Sequence, residues 1–220
     1  PIRLSLVGSE MCIRDRSKPY SRAVTNPHIR FFIRHYRSGK ADDPTVECTL
    51  DSKTPITNQE CTAVIKMNGM IHPDTIDWKL RGGQHSSEDG GKSGTCYSLE
   101  IMSDGSQSKY LEVERPHPSM HNCTKFCKPL FKLSDISNAK FGWKGIVINS
   151  ADNKSVHIES WVNLTSDDQS KWQKYIDVTD NGQLPQGLML QCMGTRATIR
   201  IDGIQGHPEF TNVSMREITL

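Results

Sequence analysis

The chain has 220 residues, of which 35% are hydrophobic, with 16 glycines and 11 prolines. This length suits one β-sandwich with a substantial core, and the glycine and proline content is typical of strands joined by turns. The formal net charge is +2, but nine basic and only two acidic side chains lie in residues 1–40, so the remainder is mildly acidic. We therefore expect no nucleic-acid surface, and no apolar run is long enough for a membrane span.

The first residues are treated separately from the fold. Residues 4–16 read LSLVGSEMCIRDR and resemble a translated sequencing-adapter string. We therefore exclude residues 1–16 as an artefactual leader and assign residues 17–220 to one domain. The chain starts without Met and shows no signal peptide, so we expect its N-terminus to be incomplete.

Short alternating runs separated by turn residues continue from Thr45 onward. Asn68-Gly69, Asp104-Gly105 and Asn181-Gly182 supply the positive φ that tight hairpins require. Eleven runs, preceded by the aromatic segment IRFFIRHYRSG, predict an all-β antiparallel sandwich or jelly roll of about ten to twelve strands. The predicted strands are Thr45–Leu50, Thr62–Met67, Thr75–Arg81, Thr95–Ser103, Lys109–Arg115, Gly142–Asn149, Val156–Asn163, Trp172–Asp177, Leu188–Met193, Ala197–Gly203 and Val213–Thr219.

Six cysteines remain when Cys12 is set aside with the leader. An even number permits up to three disulfides, and four N-x-S/T triplets add to the indication of an extracellular or cell-surface glycoprotein. A reduced intracellular domain with buried thiols is the alternative. Cys123 and Cys127 follow two histidines, but no second pair completes a tetrahedral zinc set, so we predict no metal site. The cysteines are Cys48, Cys61, Cys96, Cys123, Cys127 and Cys192, and the triplets begin at Asn122, Asn153, Asn163 and Asn212.

Alternation along the strands separates an apolar face from a polar one. Five strands carry charged and aromatic side chains on the polar face. An aromatic ring beside charges of both signs is typical of a saccharide groove, in which the ring stacks on the sugar and the charged groups bind hydroxyls. A solvated outer sheet face is the alternative. The predicted ligand-binding residues are Lys79, Arg81, Glu100, Glu112, Glu114, His157, Glu159, Trp161 and Arg200.

An enzyme on the same face is a second hypothesis. Glu112 and Glu114 lie two apart on one predicted strand, so their carboxylates could approach the separation found in retaining glycoside hydrolases. A uronic-acid lyase would instead need groups that neutralise the substrate carboxylate and a base that removes the adjacent proton. In that case the predicted catalytic residues are Arg81 and Gln84 for neutralisation and His85 or His117 as the base.

Several segments follow one another in the order DWKLRGGQHS, CYSLEIMSDG, YLEVERPHP, FGWKGIVIN, VHIESWVN, WQKYIDV, ATIRIDG and VSMREI. This succession resembles the concanavalin A-like lectin/glucanase domains over roughly residues 30–220. The resemblance implies a jelly-roll fold and a glycan ligand more strongly than it implies a reaction. The E-x-D-x-x-E run of laminarinase-type glycosidases and the Q-I-H tripeptide of lyases are absent from the sequence.

Together these patterns predict an extracellular monomer that binds polysaccharide or another glycan on a concave sheet face. Calcium is common in the superfamily, but no dense Asp/Asn loop marks a site, so we expect no cofactor. The alternatives are a polysaccharide lyase or glycoside hydrolase acting on the same face, and a non-catalytic adhesion module at the cell surface.

Overall fold

The computed structural model describes residues 29–37, 44–82, 96–106, 111–114, 120–122, 128–165, 170–182 and 194–218. The regular elements in these residues are β-strands, which confirms the predicted all-β class. None of the described residues forms a helix long and apolar enough to cross a membrane. The strands are β1 Ile29–Arg37, β2 Pro44–Ile56, β3 Gln59–Lys66, β4 Thr75–Gly82, β5 Cys96–Met102, β6 Leu111–Glu114, β7 Met120–Asn122, β8 Lys140–Asn149, β9 Val156–Asn163, β10 Gln173–Asp180, β11 Gly194–Asp202 and β12 Glu209–Glu217.

These strands form two antiparallel sheets that pack into a sandwich. The seven-stranded sheet has the order β1-β2-β11-β4-β5-β6-β7, and the five-stranded sheet has the order β10-β9-β8-β3-β12. Sequential hairpins build one edge of each sheet, whereas β11 is inserted between β2 and β4. The fold is therefore closed by pairings between residues that are far apart in sequence.

The core lies between the two sheets. Trp78 on β4 and Trp143 on β8 meet edge to face, with ring centroids 5.4 Å apart. Gly145 lies opposite Leu80 and Leu99, whose Cδ1 atoms are 2.6 and 2.8 Å from the position that a Cβ on Gly145 would occupy. The apolar residues of the alternating pattern thus face inward, and the close approach of the sheets requires glycine at residue 145.

Two buried polar contacts complete the packing. The Tyr97 hydroxyl donates to Asp180 Oδ2 at 2.7 Å and so links β5 of one sheet to β10 of the other. Trp143 Nε1 donates to the Ser160 hydroxyl at 2.9 Å within the five-stranded sheet. Each hydrogen bond compensates for the desolvation of a buried polar group.

The cysteines of the core are thiols. Cys48 on β2 and Cys61 on β3 are both buried and free. Because the two are unpaired, the expected maximum of three disulfides is reduced to two. The side chains of the other four cysteines lie outside the described part of the chain.

Most predicted strands correspond to observed ones. The three-residue β7 was not predicted, since so short a run carries no alternation to recognise. The predicted strand Leu188–Met193 lies outside the described residues. Strand β2 continues to Ile56, six residues beyond its predicted end, through a polar segment that alternation alone does not mark as a strand.

Candidate functional site

The predicted ligand-binding residues lie on two different sheets. Lys79, Glu100 and Arg200 belong to the seven-stranded sheet, whereas His157, Glu159 and Trp161 follow one another on β9 of the five-stranded sheet. The outer faces of two packed sheets point in opposite directions. The expectation that all of these residues line one groove is therefore wrong, because alternation separates inside from outside but does not assign a strand to a sheet.

Arg81 turns into the sandwich instead of sharing the polar face with Lys79. A bulge at residues 80–81 changes the register with β11, and Arg81 adopts a left-handed φ of 53°. Its Nη1 donates to Asn149 Oδ1 at 2.6 Å and its Nη2 to the Val147 carbonyl at 3.3 Å, both on the opposite sheet. The prediction that Arg81 lies on the polar face is therefore wrong, because a bulge interrupts the alternation of side chains along the strand.

The outer face of the seven-stranded sheet carries a row of charges. Glu47, Arg200, Asp77 and Glu100 are neighbours across β2, β11, β4 and β5 in the strand register. Glu100 is only 2% exposed, so this face differs from an ordinary solvated surface.

A second row on the same face is mainly uncharged. Thr49, Thr198, Lys79 and Ser98 are aligned in register, and the two threonine hydroxyls are 3.1 Å apart. All four side chains are buried. The Thr49 and Thr198 hydroxyls satisfy each other, whereas Ser98 Oγ has no hydrogen-bond partner among the described residues.

The two glutamates of β6 lie beside β5, and only Glu112 extends the second row at the level of the backbone. Glu112 pairs with Ser98, and Glu114 pairs with Cys96. The side chains of both glutamates lie outside the described part of the structure. Their roles as ligand-binding groups, and as a pair of catalytic carboxylates, stay predictions.

The five-stranded sheet presents a partly exposed aromatic and charged surface. We name this surface the tryptophan face. It places two half-buried indoles among acidic, basic and imidazole groups on the outer side of β8, β9 and β10. Its members are Lys144, His157, Glu159, Trp161, Trp172, Lys174 and Asp177.

Glu159 is the centre of the hydrogen-bond network on the tryptophan face. It accepts from Trp161 Nε1 at 2.6 Å and from Lys174 Nζ at 2.8 Å, and it lies 2.9 Å from His157 Nε2. Lys174 also donates to Asp177 at 2.7 Å. These contacts fix the edge of the Trp161 ring, and the Lys174 ammonium lies 5.1 Å from the ring centroid.

The network also determines the ionisation of its members. Partial burial raises the pKa of Glu159, but hydrogen bonds from Lys174, His157 and Trp161 outweigh burial and hold this pKa below its ordinary value. Hydrogen bonds to Asp177 and then to Glu159 raise the pKa of Lys174. The carboxylate and the ammonium each stabilise the charged form of the other.

Glu159, His157 and Asp177 also have the composition of a metal-ligand set. One ligand atom from each lies within 4.8 Å of the others. However, the Lys174 ammonium is 2.8 Å from Glu159 Oε1 and 2.7 Å from Asp177 Oδ2, so it already supplies the positive charge that balances them. We therefore interpret the cluster as an ion-pair network.

The Trp172 ring packs against β8 at Gly142, where the strand has no side chain. Its Cη2 lies 2.8 Å from the position that a Cβ on Gly142 would occupy. Lys144, two residues along β8, places its Nζ 4.8 Å from the centroid of the Trp172 ring. Trp172, Lys144, Lys174 and Asp177 were not predicted as site residues, because their association with β9 depends on cross-strand pairing.

A separate pocket of about 200 Å³ opens at one end of the sandwich. Its walls include His72, Asp104, Asp135 and Gln205. Hydrogen bonds from Ser106 and Ser137 lower the pKa values of Asp104 and Asp135, respectively. Both aspartates thus serve the turns in which they lie, and the sequence patterns gave no indication of this pocket.

The remaining predicted groups are located as follows. Gln84, His85 and His117, the other members of the predicted catalytic set, lie outside the described residues. Of the N-x-S/T triplets, Asn153 and Asn212 are exposed, whereas Asn163 is only 1% exposed. A glycan could be accommodated at the two exposed positions of the folded chain but not at the buried one.

Comparison with solved structures identifies the fold. The carbohydrate binding module CBM66 from Bacillus subtilis superposes with a TM-score of 0.50 at 8% identity, covering 90% of this chain and 100% of the module. The chain has the concanavalin A-like jelly-roll fold. The resemblance inferred from the order of the strands is thereby confirmed at the level of fold.

Further structures with weaker superposition to this jelly roll were also found. The exoplasmic/lumenal domain of VIP36, bound to Ca²⁺ and Man3GlcNAc, has a TM-score of 0.47 at 10% identity and covers 88% of this chain and 85% of its own. The legume lectin-like domain of Entamoeba histolytica has a TM-score of 0.43 at 8% identity and covers 86% and 90%, respectively. No family model and no curated protein matches the jelly-roll chain.

Proposed function

We propose that this jelly roll is a carbohydrate-binding domain that holds a polysaccharide against the tryptophan face. The observation that carries the proposal is the pair of half-buried indoles, Trp161 and Trp172, beside a network of hydrogen-bonding groups on one sheet face. An exposed indole stacks on the C–H face of a sugar ring, and fixed carboxylate and ammonium groups bind its hydroxyls.

The geometry suits an extended ligand. Trp161 is fixed by its hydrogen bond to Glu159, so it loses little freedom when a sugar stacks on it. The Trp172 ring lies beside Gly142, whose register partner is Asn163, two residues along β9 from Trp161. Two rings on neighbouring segments would contact successive sugars of a polymer, which supports a polysaccharide as the ligand.

The test is affinity electrophoresis of the full chain in gels cast with neutral and acidic polysaccharides. We expect retardation in at least one gel, and the Trp161→Ala and Trp172→Ala variants should each lose most of it. Ile71→Ala is the matched control, since Ile71 is 54% exposed and apolar, and its backbone N–H donates to the Gly203 carbonyl at the end of β11 in the other sheet. Staining each gel for remaining polymer tests the hypothesis of a lyase or hydrolase in the same experiment.

The charged face of the other sheet supplies the discriminating variant. Glu100→Gln removes a charge there without changing the size of the side chain, and it should leave retardation unchanged. If Glu100→Gln abolishes retardation while Trp161→Ala and Trp172→Ala do not, the site lies on the seven-stranded sheet and our placement is wrong. If no polysaccharide retards the wild-type chain, the carbohydrate-binding proposal fails and an adhesion module without glycan affinity becomes the better hypothesis.

A further inference from the structure

Lys144 lies on β8, at the side of the tryptophan face nearest the middle of the five-stranded sheet. Strand β8 is the middle strand of its sheet, and Lys144 pairs with Thr62 on one side and with Trp161 on the other. Its ammonium lies 4.8 Å from the centroid of the Trp172 ring. The Lys144 ammonium is thus held at the Trp172 ring, on a strand that pairs with the strand of Trp161.

Three other cations of this sheet form ion pairs with carboxylates, whereas the described residues offer Lys144 no such pair. Lys174 contacts two carboxylates at 2.7 and 2.8 Å, Lys66 contacts Glu209 at 3.0 Å, and Arg216 contacts Glu60 at 2.7 Å. Among the described residues, no carboxylate oxygen lies at ion-pair distance from Lys144 Nζ, that is, within 4.0 Å of it. Its positive charge is therefore not balanced by an ion pair within the described part of the sheet.

The distribution of charge along the face is uneven. Glu159, Asp177 and Lys174 together carry one net negative charge when His157 is neutral, because one ammonium is shared between two carboxylates. Glu159 pairs in register with Ile146, two residues along β8 from Lys144. An anionic ligand is thus attracted at Lys144 and repelled at Glu159, and these two effects favour one orientation of the ligand.

We propose that the ligand of the tryptophan face is an acidic saccharide of the uronic-acid class, whose carboxylate binds Lys144 while its ring stacks on an indole. This inference rests on the proposed carbohydrate-binding function and specifies its ligand. A uronate carries its carboxylate directly on the sugar ring, so a sugar stacked on the Trp172 ring would bring this charge close to Lys144, whose Nζ lies 4.8 Å from the ring centroid. The contact is a charge-assisted hydrogen bond in a site that is partly shielded from water.

The test compares polymers that differ only in charge. Binding isotherms are measured for the full chain with polygalacturonate and alginate, and with the carboxyl-reduced, neutral form of each. We expect wild type to bind at least one acidic polymer about five- to tenfold more tightly than its neutral counterpart, an effect that weakens with salt as screening increases.

Lys144→Met is the decisive variant, because it keeps an unbranched apolar side chain beside Trp172 and removes the charge. It should abolish the preference for the acidic polymer, because binding of the acidic form should weaken more than binding of the neutral form. Lys154→Met is the matched control: Lys154 is 84% exposed in a turn, and its removal changes the net charge equally. This variant should retain the full preference.

The possible failures of the two proposals are distinguishable. Equal affinity of wild type for the acidic and neutral forms, or an undiminished preference in Lys144→Met, overturns the uronic-acid inference while carbohydrate binding stands. An equal loss of preference in Lys144→Met and Lys154→Met also overturns it, because net charge alone would then explain the effect. Absence of binding to every polymer, including those in the electrophoresis gels, overturns both.

Discussion

Arg81 Nη1 donates a hydrogen bond to Asn149 Oδ1 at 2.6 Å, and this contact joins β4 of the seven-stranded sheet to β8 of the five-stranded sheet. The Arg81 backbone N–H also donates to Gln59 Oε1 at 3.0 Å on β3. An arginine thus ties both sheets together from a left-handed backbone conformation, which costs a non-glycine residue free energy that these contacts offset.

Replacing Arg81 by Met should therefore destabilise the fold. We expect the free energy of unfolding to fall by about 2–4 kcal/mol, because the substitution leaves Asn149 and the Val147 carbonyl without their buried donors. Urea denaturation followed by tryptophan fluorescence measures the change. Arg216→Met is the control, since Arg216 forms an exposed ion pair whose loss costs less than about 1 kcal/mol. Equal effects of the two substitutions would contradict the structural role of Arg81.

Gly145→Ala tests how closely the sheets approach each other. The added Cβ would lie 2.6 Å from Leu80 Cδ1 and 2.8 Å from Leu99 Cδ1, so the core must shift at a cost of about 1–3 kcal/mol. Thermal or urea unfolding gives this value. In a Leu80→Ala background, which removes the nearest atom and gives Leu99 room to move, the same substitution should cost less. An unchanged cost in that background would place the clash elsewhere.

Gly142→Ala tests the position of Trp172. The new methyl group would take space now filled by the ring, whose Cη2 lies 2.8 Å from it, so the indole must move away from the strand and from Lys144. We expect quenching of tryptophan fluorescence by acrylamide to increase, with glycan retardation reduced. In a Trp172→Ala background the substitution should have no further effect on retardation. A full additional loss there would mean that Gly142 acts independently of Trp172.

The pKa of Glu159 predicts the behaviour of the fold in acid. Because this pKa is lowered in the folded state, the carboxylate stabilises the fold above its ordinary pKa of 4.5, and this contribution is lost as pH falls through the folded pKa. Glu159→Gln should therefore be less stable than wild type at pH 7, and the difference should shrink in acid below pH 4.5. Urea midpoints across pH 3–7 measure it. A difference that stays constant with pH would contradict the ion-pair network.

Cys48 and Cys61 should be inert in the folded protein. Burial raises the pKa of each thiol well above its ordinary value, and for Cys61 the neighbouring Glu60 adds to the effect. Alkylation by iodoacetamide at pH 8, followed by peptide mass spectrometry, should label neither residue in the native state. Both should be labelled after unfolding without reductant, because they are free. Protection that persists in the unfolded chain would show that they form disulfides.

Alternation in the sequence identified the apolar side chains of β4, β5, β9 and β11 that face the core. Trp78 and Leu80 on β4, and Ile199 and Ile201 on β11, are buried as their pattern predicts. The same alternation could not place Trp161 and Glu100 on different sheets, because that depends on pairings between distant strands. The bulge at Arg81 could not be predicted either, because a left-handed arginine does not alter the pattern of polar and apolar residues.

The tryptophan face was predicted only where a single strand carries it. His157, Glu159 and Trp161 alternate along β9, so their shared face could be inferred. Lys174 and Asp177 reach the same face from β10 across a register shift between Lys174 and Ile176. Their positions therefore depend on tertiary structure, for which the sequence provides no local signal.

The insertion of β11 between β2 and β4 has a consequence for how the chain matures. Until residues 194–202 are synthesised, β2 and β4 each have a row of unpaired backbone donors and acceptors. A nascent chain that stops earlier would therefore expose two strand edges that can pair with other chains. Closure of the larger sheet is thus a late event during translation, and assembly must wait for a strand from the last part of the chain. Ribosome stalling or proteolytic loss after residue 182 would yield a product prone to self-association even though ten of the twelve described strands are present.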